Sequence, residues 1–284
     1  MLATEEQIEN SSYIPDEADN LRISKSSFMT YGMCPRQFFW KYCAGLPSAP
    51  PSEEMIRGGL IHSVMEDGFL KGPNAIAASA IEHGVTDDPA IVALEYLIHQ
   101  IAHDLGSFVV IEAEVKHQVY EEYEGKNIVW VGMIDGLIRV EGLGLIIVEL
   151  KTGKMNMGKL SRTRKELIYY RRMLELMEYN NSQGEEPTHL LYISPDYQTP
   201  EMGYDKLLDE GNKRGKKLWL GPEQGVAILE RIGQRSINAF SESLSDTIDN
   251  MKIQQWPMKW NDYFCPLWCE FSLSCEEELT GVSL

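Results

Sequence analysis

The feature that most constrains this chain is an apolar run that ends in charge. Leu145 to Val148 is continuously apolar, is preceded by the turn Gly142 to Gly144, and leads directly into Glu149-Leu150-Lys151. An unbroken apolar run bounded by glycine predicts a central strand covered on both faces, because a solvated face would alternate polar with apolar residues. Covering both faces takes helices on each side, which places the chain in the α/β class. Residues two apart on a strand project to the same side, so Glu149 and Lys151 point together. The preceding strand signal, Ile128 to Val140, carries Asp135, and the glycine turn brings it alongside. Two acids and a lysine then converge at the end of a buried strand, where ionisable groups are costly without a ligand. An E-x-K pair on an exposed edge would be an ordinary surface ion pair. In a buried setting, hard oxygen donors suit a divalent cation such as Mg²⁺ beside a phosphate. A nearby ammonium can orient or deprotonate water, and this is the chemistry of metal-assisted phosphodiester cleavage.

The rest of the chain divides into four stretches. Residues 1–20 hold six acids and no base, and predict a solvated, disordered acidic tail. Residues 21–107 read as helical. Ser24 is an N-cap, and Phe28, Tyr31, Phe38, Phe39, Trp40 and Tyr42 form an aromatic-rich helical pair broken at Cys34-Pro35. Met55 to Phe69 is a further helix, residues 72–88 hold a short helical segment, and Pro89 to Leu105 is amphipathic. Residues 108–250 form the core, with strands over Phe108 to Tyr120, Ile128 to Val140 and Leu190 to Ser194. Helices are expected over Leu160 to Tyr179 and Pro222 to Asn250. Residues 251–284 are a terminal segment in which three of the five cysteines crowd together. An odd, clustered set points to metal or cluster binding before disulfides.

Charge narrows the function classes. The formal net charge of −17 excludes a generally sticky binder of nucleic acid or anionic membrane. The average hides a patch: Lys151 to Arg172 carries eight bases against Glu166, net +7, leaving −24 elsewhere. Lys154, Lys159, Arg162, Arg164 and Lys165 begin at the charged strand end and could track a phosphate backbone. Lys213, Arg214, Lys216 and Lys217 form a smaller patch. No apolar run reaches the roughly 18 to 20 residues that span a bilayer, and no basic-then-apolar leader opens the chain. The expectation is a cytoplasmic, intracellular protein without a membrane partner.

The stretch V-G-M-I-D-G-L-I-R-V-E-G-L-G-L-I-I-V-E-L-K-T-G-K, residues 131–154, resembles motifs II and III of the PD-(D/E)XK nuclease superfamily in its RecB-like exonuclease branch. In that branch a Gln-x-x-x-Tyr helix follows. Here Glu166-Leu167-Ile168-Tyr169-Tyr170 occupies the place, with Tyr170 matching and Glu166 replacing glutamine. Arg57-Gly58-Gly59-Leu60-Ile61-His62 is similar to the helical motif I, whose histidine joins the two acids at the metal. The pattern Cys34 with Cys265-x3-Cys269-x5-Cys275 resembles the iron-sulfur clamp of AddB-type and CRISPR-associated relatives. Zn²⁺ could occupy the same cysteine set, while the resemblance favours a 4Fe-4S cluster. Cys43 is left over as a small buried hydrophobe.

The resemblance covers residues 22–70, 109–192 and 226–275, leaving 72–107 and 196–225 outside it. It implies a restriction-endonuclease-like core: a central mixed sheet flanked by helices, with a helical N-terminal part meeting the cluster segment. It also implies a metal-dependent DNA exonuclease acting on single strands or DNA ends, in recombination, repair or CRISPR-type adaptation. His62, Asp135, Glu149 and the Leu150 carbonyl would hold Mg²⁺ or Mn²⁺. Lys151 would position water, Tyr170 with Glu166 would orient Lys151 or a nearby phosphate, and Arg57 would contact the backbone. The competing readings are a non-catalytic DNA-binding subunit that serves a helicase or integrase complex, and an RNA-processing nuclease.

Overall fold

The computed structural model describes residues 1–15, 19–106, 108–153, 157–177, 186–196, 216–222 and 225–281. The chain forms two compact units. One comprises Met1–Pro50, Gln118–Val131 and Ala239–Leu284, the other Pro51–His117 and Gly132–Asn238. The two longest strands, β3 (Phe108–Tyr123) and β4 (Lys126–Val140), contribute to both, so the units do not follow the four consecutive stretches expected from sequence.

In the second unit, the Gly132–Val140 part of β4 pairs antiparallel with β5 (Gly144–Leu150). Next to β5, parallel, lies β6 (Pro187–Ser194). Beyond it come β8 (Val226–Arg231) and β7 (Lys217–Leu220), each pairing antiparallel with its neighbour. The mixed sheet and its flanking helices match the expected class. Leu145, Ile146, Ile147 and Val148 are fully buried, as a doubly covered strand requires. Ile146, Val148 and Leu150 join Leu191, Ile193 and Leu229 in a core with α4 (Glu53–Lys71), α5 (Ile76–Glu82) and α6 (Pro89–Leu105). The alternate residues of β5, ending in Glu149, face the other side, where α7 (Met157–Leu176) lies.

The residues expected as one helix from Pro222 to Asn250 divide. Val226–Arg231 is strand β8, in register with β6 from Ser194↔Val226 to His189↔Arg231, and helix α8 (Gln234–Lys252) begins only after Gly233. The apolar run gains more from pairing with a buried strand than from its own helical tendency. Inside this layer Glu230 is buried. It accepts from Arg164 on α7, with one contact at 2.9 Å, from Tyr192 at 3.0 Å, and pairs with Lys216 at 2.5 Å.

In the first unit, β1 (Ser11–Ser12) pairs parallel with β2 (Asn20–Ser24), and β2 pairs parallel with β4 from Leu21↔Ile128 to Ser24↔Val131. The acidic N-terminus is therefore not a bare tail. A reciprocal Thr4–Gln7 capping box closes helix α1 (Glu5–Glu9), and Leu2 bridges Val119. Ser24 caps α2 (Lys25–Met33) and Pro35 opens α3 (Pro35–Phe38), as the sequence indicates. Phe38 stacks on Trp256 and meets Tyr31 edge-on, and the Tyr31 hydroxyl donates to the Gln255 carbonyl. Among the described residues no helix is long and apolar enough to cross a membrane.

Removing Glu230 would leave two cations beside a buried face. Glu230→Ala is expected to lower unfolding free energy by about 3 kcal/mol in urea melts. A loss under about 0.5 kcal/mol would contradict a paired, buried network.

Candidate active site

The strand ends bring the acids together as the turn predicts. One residue past the Gly136–Val148 pair, Asp135 and Glu149 are both buried, and the Leu150 N–H donates to Asp135 Oδ2 at 2.8 Å. Backbone thus fixes the Asp135 carboxylate against β5. Lys151 leaves the sheet with its N–H on the Ile193 carbonyl at 2.9 Å. Its ammonium pairs with Glu149 and, at 2.9 Å, with Glu166.

Glu166 and Tyr170 stand one turn apart on α7. This helix can approach β4 because Gly132 has no side chain: a Cβ there would meet Met173 Sδ at 2.7 Å and Tyr170 Cε1 at 2.9 Å. Burial, then the surrounding carboxylates Glu149, Asp135, Glu166 and Glu114, push the Tyr170 pKa far up, so the phenol stays protonated and remains a donor.

Helix α4 supplies the histidine. Gly58 sits where a Cβ would lie 2.7 Å from Thr152 Oγ1, which lets α4 close on the segment after Lys151. One turn on, His62 Nδ1 lies 3.7 Å from Asp135 Oδ2 and 3.1 Å from Glu114 Oε1. Burial alone would lower the His62 pKa, but Glu114, Asp135 and Glu149 outweigh it and raise it. Among the described residues, His62, Glu114 and Asp135 form the set of donors within 4.8 Å of one another that could hold a metal ion. Sequence reading overlooked Glu114. It sits in a strand with no motif around it, and its one local signal, the acid-small-acid run Glu112-Ala113-Glu114 within a Val/Ile strand, is weak.

The expected nucleic-acid residues separate into two groups. Lys159, Arg162 and Lys165 are exposed at three-residue spacing along α7. Arg164 is instead turned to Glu230. Arg57 is also engaged: it chelates both oxygens of Asp88, reaches Asp196 at 2.8 Å and the Thr152 carbonyl at 3.4 Å. Its guanidinium holds α4 to the N-cap of α6 and to the segment following Lys151. Lys216 and Lys217 pair with Glu230 and Asp104. Lys154, Lys213 and Arg214 lie outside the described residues.

In the first unit, Cys34 sits between α2 and α3, Cys265 lies in α9 (Phe264–Trp268), Cys269 follows it, and Cys275 lies in α10 (Ser272–Thr280). All four line one cavity of about 50 Å³. Burial raises the Cys269 and Cys275 pKa values, and neighbouring thiols add to it, Cys265 and Cys34 for the former, Cys269 and Cys34 for the latter. The Asn261 N–H points at Cys265 Sγ at 3.3 Å. Cys43 is apart from this group, its thiol 3.6 Å from the Tyr13 carbonyl.

The protein-family model of the PD-(D/E)XK nuclease superfamily matches residues 22–276. Among solved structures, that of SSO0001 is similar at 16% identity, covering 89% of this chain and 85% of that one with a TM-score of 0.39. LHK-Exo in complex with dAMP is similar at 14% identity, covering 88% and 94%, with a TM-score of 0.36. The search of curated proteins gives no match.

Arg57 holds the Asp88 pKa below the ordinary carboxylate value, outweighing burial. A depressed folded-state value contributes stability above about pH 4 that is lost as pH falls through the folded pKa. Asp88→Asn keeps the helix cap but loses the charge. It should cost about 1 kcal/mol near pH 7, discounted for the partial exposure of Arg57, and progressively less as pH falls below about 4. Denaturant melts at pH 7 and in acid check this, and an equal loss at both would contradict it.

Proposed function

The chain belongs to the PD-(D/E)XK nuclease superfamily, and we propose that within it this protein is a metal-dependent DNA exonuclease of the RecB-like branch, acting on single strands or DNA ends. The observation that carries the reading is the convergence of Asp135, Glu149 and Lys151 at two buried strand ends, with Glu166 on the lysine. A purely binding module has no use for this arrangement.

The donor set fits a hard divalent cation. Asp135, Glu149 and the Leu150 carbonyl would offer oxygen, and His62 would offer an imidazole that widens acceptance toward Mn²⁺. A bound Mg²⁺ or Mn²⁺ supplies Lewis acidity and positive charge opposite the scissile phosphate. The protein's own groups do the positioning. Lys151, held by Glu149 and Glu166, orients the attacking water and offsets charge on the phosphate oxygens. Tyr170 remains a protonated donor amid the carboxylates. Lys159, Arg162 and Lys165 offer a basic line for a phosphate backbone. Arg57 serves as a clamp on α4, in place of the backbone contact expected for it. Glu166, where the branch has glutamine, is the feature that leans toward a non-catalytic subunit of a helicase or integrase complex. Its ion pair with Lys151 gives it a part in the site instead.

Cys34, Cys265, Cys269 and Cys275 are assigned to a 4Fe-4S cluster. Their common cavity supports a shared cofactor, and the family resemblance favours the cluster over Zn²⁺ in the same cysteine set. The cluster's role is structural, joining residues distant in sequence and coupling folding to the cofactor.

Lys151→Ala and Asp135→Ala are each expected to abolish metal-dependent cleavage of end-labelled DNA while leaving the circular dichroism spectrum intact. Purified variants that still cleave would sink the assignment. Cys269→Ser should reduce soluble yield and remove visible absorbance after anaerobic purification, and a colourless but equally stable wild type would argue against the cluster.

A further inference from the structure

The geometry points to Glu114 as a further ligand of the catalytic cation, one that lies outside every motif on which the nuclease reading rests. The inference rests on that reading, since it takes Asp135 as a cation ligand.

The backbone is the first observation. Glu114 lies inside β3 with φ +52°, in the left-handed region that a glutamate rarely occupies and that extended strand does not use. A local irregularity of this kind re-aims a side chain, and it recurs beside active sites. Here the result is a largely buried carboxylate, 15% exposed, turned to His62.

Donor geometry is the second. Octahedral Mg²⁺ with ligands at about 2.1 Å places adjacent donors about 3 Å apart. Glu114 Oε1 and Asp135 Oδ2 lie 3.1 Å and 3.7 Å from the same ring nitrogen, His62 Nδ1, and all three fall within 4.8 Å of one another. The shared nitrogen separates two roles for Glu114. A carboxylate that only orients a metal-bound histidine sits on the ring nitrogen opposite the metal. Glu114 shares Nδ1 with Asp135, so it stands on the ligand side.

Charge is the third. Glu114, Asp135, Glu149 and Glu166 all act on the Tyr170 hydroxyl, and Lys151 is the ammonium that pairs within the group. Like-charged carboxylates gathered this closely need positive charge between them. A divalent cation among His62, Glu114 and Asp135 supplies it, with His62 neutral and its Nδ1 lone pair directed at the ion.

The test is Mn²⁺ binding, measured by calorimetry and by the loss of the free-ion electron paramagnetic resonance signal, together with thermal melts with and without Mn²⁺. Wild type, Glu114→Gln, Glu114→Gly and Asp135→Asn are compared. Glycine accepts positive φ, so Glu114→Gly should melt no lower than wild type without metal. Both Glu114 variants should bind Mn²⁺ at least tenfold more weakly and show a smaller Mn²⁺-induced rise in Tm. If they bind within twofold of wild type while Asp135→Asn does not bind, the inference is overturned and the nuclease site stands. If wild type binds no Mn²⁺, the metal-site reading fails and this inference fails with it.

Discussion

The hydrogen bond from the Leu150 N–H to Asp135, at the ends of β4 and β5, is the contact on which the site depends. It forms because β5 is apolar on both faces and so runs through the middle of the sheet, where its neighbour is in register from Val140↔Gly144 to Gly136↔Val148, one residue short of Asp135 and Glu149. A carboxylate held this way cannot turn to solvent. Glu149, at the same strand end, is 1% exposed and equally committed. Charge at a buried strand end then dictates what surrounds it: Lys151 folds back onto Glu149, Glu166 approaches from α7, and His62 approaches from α4.

Close helix approach is the second requirement, and it is met by omission of side chains. At Gly58 and Gly132 a Cβ would collide, with Thr152 in one case and with Tyr170 and Met173 in the other. Each lies on a contact that carries a site residue, so helix packing and site geometry are one problem. The Arg57 clamp belongs to the same solution. Its five donors are directed at Asp88, Asp196 and the Thr152 carbonyl, which fixes α4 at the level where His62 meets Asp135.

Much of this was legible in the sequence, because the strongest signals there are local. Doubly buried β5, the strand partner carrying Asp135 and the caps at Ser24 and Pro35 follow from patterns a few residues long, whereas the grouping of Cys34 with the three terminal cysteines followed from the family resemblance. What was not legible depends on partners far along the chain. Val226 to Arg231 has helix-compatible spacing, and pairing with β6 and β7 makes it a strand. Glu114 carries no motif, and only a backbone irregularity turns it toward His62. Arg164 looked like a phosphate ligand because a charge count cannot see Glu230, and Arg57 because the motif that carries it does not reveal Asp88 or Asp196. The acidic N-terminus read as a disordered tail, yet Thr4 and Gln7 cap a helix whose acids stay exposed and Leu2 bridges Val119.

The most direct test of the account is a time course of wild-type protein on 5′- and 3′-end-labelled single- and double-stranded DNA, in Mg²⁺, in Mn²⁺ and in EDTA. The account predicts stepwise degradation from an end with either cation and none in EDTA. Stable DNA binding with no cleavage under any cation would contradict it.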